Sequence, residues 1–275
     1  MSATSRRFTV HLQFTYLCVV LRPRDGKQLT IPILIHALQE GYGLSTPFVE
    51  TLVRGSIFVL GQAGPFSLKD LARHNRIEHN ASLVHDDTTG RDEYAPTIPN
   101  LSLVKQLLHQ AKDGHILTAE DVARARVDRE SVCPVLNLLH AEFARGEMAM
   151  VLGIFGQGSG DHRGVPLDFL REWLTEERLP DGWKPTHTQG LLQTVRSTLE
   201  IGSLMATFKR EEQEEVASRV RSHGVQTRNP TGIMTLTNCT RSLGRIAFNA
   251  LCILFLLVGL FYRAILGYIQ VHNPM

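Results

Sequence analysis

The stretch Arg76-Ile77-Glu78-His79-Asn80-Ala81-Ser82-Leu83 crowds a carboxylate, an imidazole and a hydroxyl into five positions. It comes shortly after Ser67-Leu68-Lys69-Asp70, which has the form of a capping box with Asp in place of the usual Glu. That start signal predicts a helix at Leu71, which the His74 to Ser82 segment continues or restarts. In a helix, Glu78 and Ser82 stand four apart on one face, a spacing that suits two oxygen ligands of one hard cation, while His79 points about a quarter-turn away. The plainer reading of the same residues is a solvated helix carrying an incidental histidine.

Composition sets the frame around this stretch. The chain has 275 residues, enough for one sizeable core with appendages. Hydrophobic residues make up 43% and charged residues 20%, ordinary values for a globular chain. The formal net charge is +2, and Lys and Arg are interleaved with Asp and Glu, so there is no electrostatic case for nucleic acid. Cys18, Cys133, Cys239 and Cys252 are too scattered for a disulfide framework or a zinc pattern.

Outward from the stretch, helical spacing recurs and no alternating run argues for a sheet, so the fold class is all-α. Thr30 is placed to cap a helix with Pro32 in its first turn and Ile33, Leu34, Ala37 and Leu38 on its apolar face. Ser45 or Thr46 before Pro47 starts a second, with Val49, Leu52, Val53, Ile57 and Leu60 in register. Residues 84 to 100 read as a long polar connection. Helices follow at Leu101 to Lys112, Ala119 to Val127, Leu136 to Phe155, Val165 to Glu176 and Thr188 to about Phe208.

The two ends read differently from the middle. Residues 1–21 form an atypical N-terminal segment in which Arg6 and Arg7 precede an apolar run, Phe8 to Leu21, open to reading as a signal peptide or a short anchor. Residues 22–208 form the helical domain. Residues 209–245 begin with the charged stretch Lys209 to Ser222, an exposed helix or linker. Ile246 to Tyr262 contains no charged residue, which predicts a C-terminal transmembrane helix over 246–269 and a single-pass membrane protein. Arg241 and Arg245 favour a cytosolic side before that helix, whereas the sequons Asn100-Leu101-Ser102 and Asn238-Cys239-Thr240 favour a secretory, outward-facing domain.

Five pieces occur in one order along the chain: Pro23-Arg24-Asp25-Gly26-Lys27, Ala37-Leu38-Gln39-Glu40-Gly41-Tyr42, Glu78-His79-Asn80-Ala81-Ser82, Gly146-Glu147 running into Val151-Leu152-Gly153, and Glu177-Arg178-Leu179-Pro180 with Gly182-Trp183. In this they resemble the fungal heme-thiolate peroxidases, the chloroperoxidase and short unspecific peroxygenase family, over about residues 21 to 205. The resemblance implies a single helical heme-haloperoxidase-like domain holding heme b. It implies hydrogen peroxide and a small organic substrate as reactants, with oxidation, hydroxylation or halogenation as the outcome, possible service in fungal secondary metabolism included. By the same resemblance Glu147 is the acid–base carboxylate that moves a proton between the peroxide oxygens, and His79 assists it. Phe143, Met148, Met150, Val151 and Leu152 around Glu147 are surroundings that raise a carboxyl pKa. Glu78 and Ser82 match the positions that, with a heme propionate and a backbone carbonyl, hold Mg2+.

Two departures stand out. The family's Pro-Cys-Pro segment, which supplies the iron's thiolate, is missing; counting back from Pro23 lands near Val10, and valine cannot push electron density onto iron. Cys18 lies about eight residues late, and Cys133, in Cys133-Pro134-Val135-Leu136-Asn137, imitates the segment but follows the Glu-His stretch instead of preceding it. Asn80 stands where the family commonly has Asp, which predicts a His79 less basic than its family counterparts. The alternative to an enzyme is therefore a non-catalytic, membrane-anchored paralogue acting as a binding or scaffold module.

Overall fold

A computed structural model describes residues 26–222 apart from 63, 89, 161, 162 and 177. Helix α1, Ile31–Tyr42, has Pro32 in its first turn and ends at Gly43 with φ 66°, whose N–H returns to the Gln39 carbonyl. Helix α2, Thr46–Leu60, ends the same way at Gly61, φ 68°. Neither Thr30 nor Ser45 makes the side-chain cap its residue type suggests. The two helices pack together through faces that include Leu34, Leu38, Val49 and Val53, all buried.

The capping residues read in the sequence do start α3, but Leu68–Leu71 is a single turn. Asp70 Oδ2 accepts from the Ser67 N–H at 2.7 Å and from its hydroxyl at 2.8 Å. Beyond it the chain leaves the helix, so the expected continuation through Ser82 is corrected: 72–83 is turns and bridges. Asn75 and Ala81 sit at φ 59° and 63°, backbone that no right-handed helix accommodates.

Helix α4, Leu101–His109, starts at Asn100, whose side chain accepts from the Ser102 N–H at 2.8 Å. Helix α5, Ala119–Ser131, opens with a complete Thr118–Asp121 capping box, and α6, Leu138–Phe155, opens with Asn137. A small antiparallel sheet was not expected: β1, Ile116–Thr118, pairs with β2, Gly164–Pro166, with Leu117 opposite Val165 and both fully buried. Three-residue strands are too short to show alternation in the sequence. Helix α7, Leu167–Glu176, packs on α4, and Arg178 beyond it pairs with Glu172, Glu176 and Asp181. Phe155, at the end of α6, meets Trp173 at 4.8 Å and Trp183 at 4.9 Å between ring centroids, an aromatic cluster with Tyr42 at 6.3 Å.

Helix α8, Leu191–Ser222, is the longest. Two compact units divide the chain after Ala206; among the described residues of the second, 209–222 is the charged stretch, which is helical. The transmembrane expectation is corrected, and the single-pass membrane placement with it. No helix among the described residues is long and apolar enough to cross a membrane, because the two that are long enough carry charges, Glu142, Arg145 and Glu147 in α6 and Arg196, Glu200, Lys209 and Arg210 in α8. Residues 246–269 themselves lie outside the described residues.

The two helix-capping glycines separate two physical effects. A Cβ on Gly43 would come within 2.7 Å of Pro185 Cβ and 2.9 Å of the His187 carbonyl, whereas a Cβ on Gly61 meets nothing within 4 Å. Both substitutions carry the left-handed penalty of roughly 1–2 kcal/mol, and Gly43→Ala adds an overpacking cost of about 1–3 kcal/mol. Urea unfolding of both variants is expected to rank Gly43→Ala clearly below Gly61→Ala; equal losses would mean that Pro185 moves aside freely.

Candidate active site

Because the backbone turns at Ala81, Glu78 and Ser82 do not share a helix face. The Glu78 carboxylate is bonded to His74 Nδ1 at 2.7 Å, with both side chains nearly buried. The Ser82 hydroxyl accepts from the N–H groups of Val84 and His85 at 3.3 and 3.1 Å, closing a turn. Among the described residues no group of three or more His, Cys, Asp or Glu side chains is arranged to hold a metal ion. The shared helix face expected of Glu78 and Ser82 is thus corrected, and their service as magnesium ligands, which the resemblance implies together with a heme propionate and a backbone carbonyl, stays a proposal.

His79 is 1% exposed, and its two ring nitrogens have different surroundings. Nδ1 lies 2.7 Å from the backbone carbonyl of Asn80. A carbonyl only accepts, so Nδ1 carries the hydrogen. Nε2 then faces the Glu147 carboxylate, 3.6 Å from Oε2, on a side chain that is 11% exposed. With Nδ1 already protonated, the facing nitrogen and oxygen attract only when one further proton is present, as imidazolium and carboxylate or as imidazole and carboxylic acid. The couple is thus built to favour one further proton. Burial works against the imidazolium, but the charge of Glu147, its hydrogen bond and the Asn80 carbonyl together raise the His79 pKa above the ordinary histidine value. The ring's basicity in this chain is set by the Asn80 backbone carbonyl and by Glu147, and the Asn80 side chain is engaged elsewhere. That side chain accepts from the Thr88 N–H at 2.8 Å instead.

Glu147 reaches this position from α6, where Met148 and Val151 beside it are buried. His140, two turns earlier on the same helix, stands 6.0 Å from His79 between ring centroids, and Phe143 packs beside it at 6.2 Å. Elsewhere Phe48, Phe66 and Phe155 are core, and Phe58 is on the surface.

The loop that carries His79 is fastened to α5 by residues the sequence did not single out. Arg126, 1% exposed, donates to the Ala81 carbonyl at 2.5 Å and to Glu130 at 2.8 Å. Arg129 donates to the Ser82 carbonyl at 2.8 Å and to Asp87 at 2.9 Å, and Asp87 in turn accepts from the Ala81 N–H at 2.7 Å. Desolvation holds the Arg126 guanidinium below its ordinary pKa, opposed by the charges of Glu130 and Glu147. The only sequence signal was two arginines three apart on a helix already identified.

For a heme, the donor set fits one side and not the other. A buried carboxylate facing a buried imidazole, with apolar residues along α6, is chemistry suited to the peroxide-binding side. Cys133 is the one cysteine among the described residues. It accepts from Arg129 Nη1, and burial, aided by a hydrogen bond to Asp87, pushes its thiol up to about 11. Cys18 lies outside the described residues.

The family profile described as "Peroxidase, family 2" matches residues 21–188, more than half of the chain. No curated protein matches it.

The raised His79 pKa has a signed consequence for stability. A folded-state pKa above the unfolded value of 6.5 means that the pair's contribution is fully present below pH 6.5 and is lost as pH rises through the folded pKa. Urea midpoints measured from pH 5 to 9 are expected to place the wild type furthest above Glu147→Gln at the acid end, with the gap closing toward the alkaline end. A gap independent of pH would show that no proton is stored between the two side chains.

Proposed function

The chain belongs to peroxidase family 2, and from that premise we propose that it is a heme-dependent peroxidase or peroxygenase in which Glu147 and His79 act together on hydrogen peroxide. The observation that carries this reading is the 3.6 Å approach of His79 Nε2 to Glu147 Oε2 with Nδ1 already committed to the Asn80 carbonyl. Peroxide cleavage needs one group to take a proton from the oxygen that stays bound and return it to the oxygen that leaves. Glu147 is the donor and acceptor in this account, since a carboxylate can do both without changing position. His79, as the imidazolium, offsets the charge of the Glu147 carboxylate before the proton is taken up. The bound heme supplies the iron that takes up peroxide and the oxidising chemistry. Met148 and Val151 beside Glu147 keep water from competing for the proton.

The organic reactant is read only as a class: a small molecule oxidised, hydroxylated or halogenated next to this pair. A second reading, a non-catalytic binding module, draws on one observation, the engagement of the Cys133 sulfur by Arg129. Heme uptake separates the two, because such a module has no need of the cofactor.

Glu147→Gln keeps the side chain's shape and removes its ability to carry a proton. It is expected to lower kcat/KM for peroxide by about 10²–10⁴-fold at unchanged heme content. Turnover equal to that of the wild type removes Glu147 from the chemistry. A wild-type chain that takes up no heme from solution supports the binding-module reading.

A further inference from the structure

His140 is a buried histidine with no place in the proton transfer above, yet its surroundings are as strictly specified as those of His79. The Asn137 side-chain oxygen accepts from the His140 N–H at 2.9 Å as the N-cap of α6, which fixes the amide's orientation. Its NH2 group is therefore the part that meets His140 Nδ1, at 3.1 Å. An amide nitrogen only donates, so Nδ1 must be the acceptor. Nε2 lies 3.3 Å from the Arg76 carbonyl, which only accepts, so Nε2 must carry the hydrogen. Both contacts are satisfied by the neutral Nε2–H tautomer alone; a second ring proton would set two donors against each other at Asn137.

We infer that His140 is a positioning residue: Asn137 and the Arg76 carbonyl lock it as a neutral ring beside His79, so that the proton of the site stays on the His79–Glu147 pair. This rests on the reading of that pair as the acid–base unit. The charged and titratable groups that face His140 from the loop are His79, His74 and Glu78, and Arg76 meets it through its carbonyl; on its own helix Glu147 stands two turns on. His74 and Glu78 are bonded to each other, which leaves His79 as the neighbour with which His140 would compete for a proton. Burial first, and the charge of His79 next among the opposing influences, disfavour protonation of His140, in agreement with the hydrogen bonds. Two rings 6.0 Å apart cannot both become cations cheaply in a buried site.

The variant Asn137→Asp keeps the cap, since Asp serves as well as Asn there, but replaces the donor facing Nδ1 by an acceptor. The test uses the full chain labelled with 15N-histidine, without added heme, and follows ring nitrogen shifts from pH 5 to 8. In the wild type His140 is expected to remain the Nε2–H tautomer throughout while His79 takes up its proton. In Asn137→Asp the His140 midpoint is expected to rise by roughly one pH unit or more, with the urea midpoint little changed; His140→Gln identifies its resonances. A wild-type His140 that shows the Nδ1–H tautomer, or that protonates before His79, overturns the inference, as does an Asn137→Asp chain whose His140 titrates like the wild type. Neither measurement involves peroxide, so failure of the Glu147→Gln turnover test and failure of this one are distinguishable.

Discussion

A loop without a regular hydrogen-bond ladder can be buried only if its peptide groups find partners elsewhere, and between Glu78 and Thr88 almost every such partner is a side chain. Arg126 and Arg129, three apart on one face of α5, take the carbonyls of Ala81 and Ser82, and Asp87 takes the Ala81 N–H. Ala81 is held at φ 63°, where a residue with a Cβ pays roughly 1–2 kcal/mol. Hydrogen bonds to charged groups contribute about 1.5–3 kcal/mol each, and the loop has several, so the clamp outweighs the strain. The reversal at Ala81 also directs the Asn80 carbonyl back onto its neighbour's imidazole. The orientation of His79 is thus a property of α5 as much as of the loop.

Once Nδ1 of His79 is committed to a carbonyl, the remaining chemistry of the site reduces to proton counting. One proton is shared across the approach to Glu147, and both of its placements keep the buried pair neutral overall or as an internal ion pair. His140 is subject to the same logic with the opposite result: its partners exclude the second proton instead of requiring it. Two histidines of one chemical type, with rings 6.0 Å apart, have different partners, a carbonyl and the Glu147 carboxylate on one, an amide nitrogen and a carbonyl on the other. Environment, not residue type, separates their roles.

The helical character was legible because apolar spacing and start signals are local. Ser67–Asp70, Asn100, Thr118–Asp121 and Asn137 all begin helices, and α1, α2, α4 to α7 fall close to where periodicity put them. The approach of residues 79 and 147 could not be read from spacing; it was available only through resemblance to a family, whose profile matches residues 21–188. What the sequence hid was non-local. The helix expected through Ser82 fails because its competitors, Arg126 and Arg129, lie more than 40 positions away in the chain. Helix propensity over a few residues has no power against two guanidinium groups bonded to the carbonyls that the helix would need. The paired strands were missed for the opposite reason, being too short to carry a pattern at all.

Asn80, where the resemblance leads one to expect Asp, belongs to a site built largely from backbone. A carboxylate next to His79 suggests a charged partner for the ring, and its loss suggests a weaker base. In this chain the ring's partner is the main-chain oxygen of residue 80, present whatever the side chain, while the side chain turns the other way to accept from the Thr88 N–H. An amide oxygen and a carboxylate oxygen perform that second task equally, since each is an acceptor of the same reach. Position 80 therefore constrains the loop's closure and leaves the basicity of His79 to Glu147, a residue on another helix, whose charge is the largest of the influences that raise it. The raised pKa of His79 belongs to the pairing of the loop with α6, which stands in this chain with an amide at position 80.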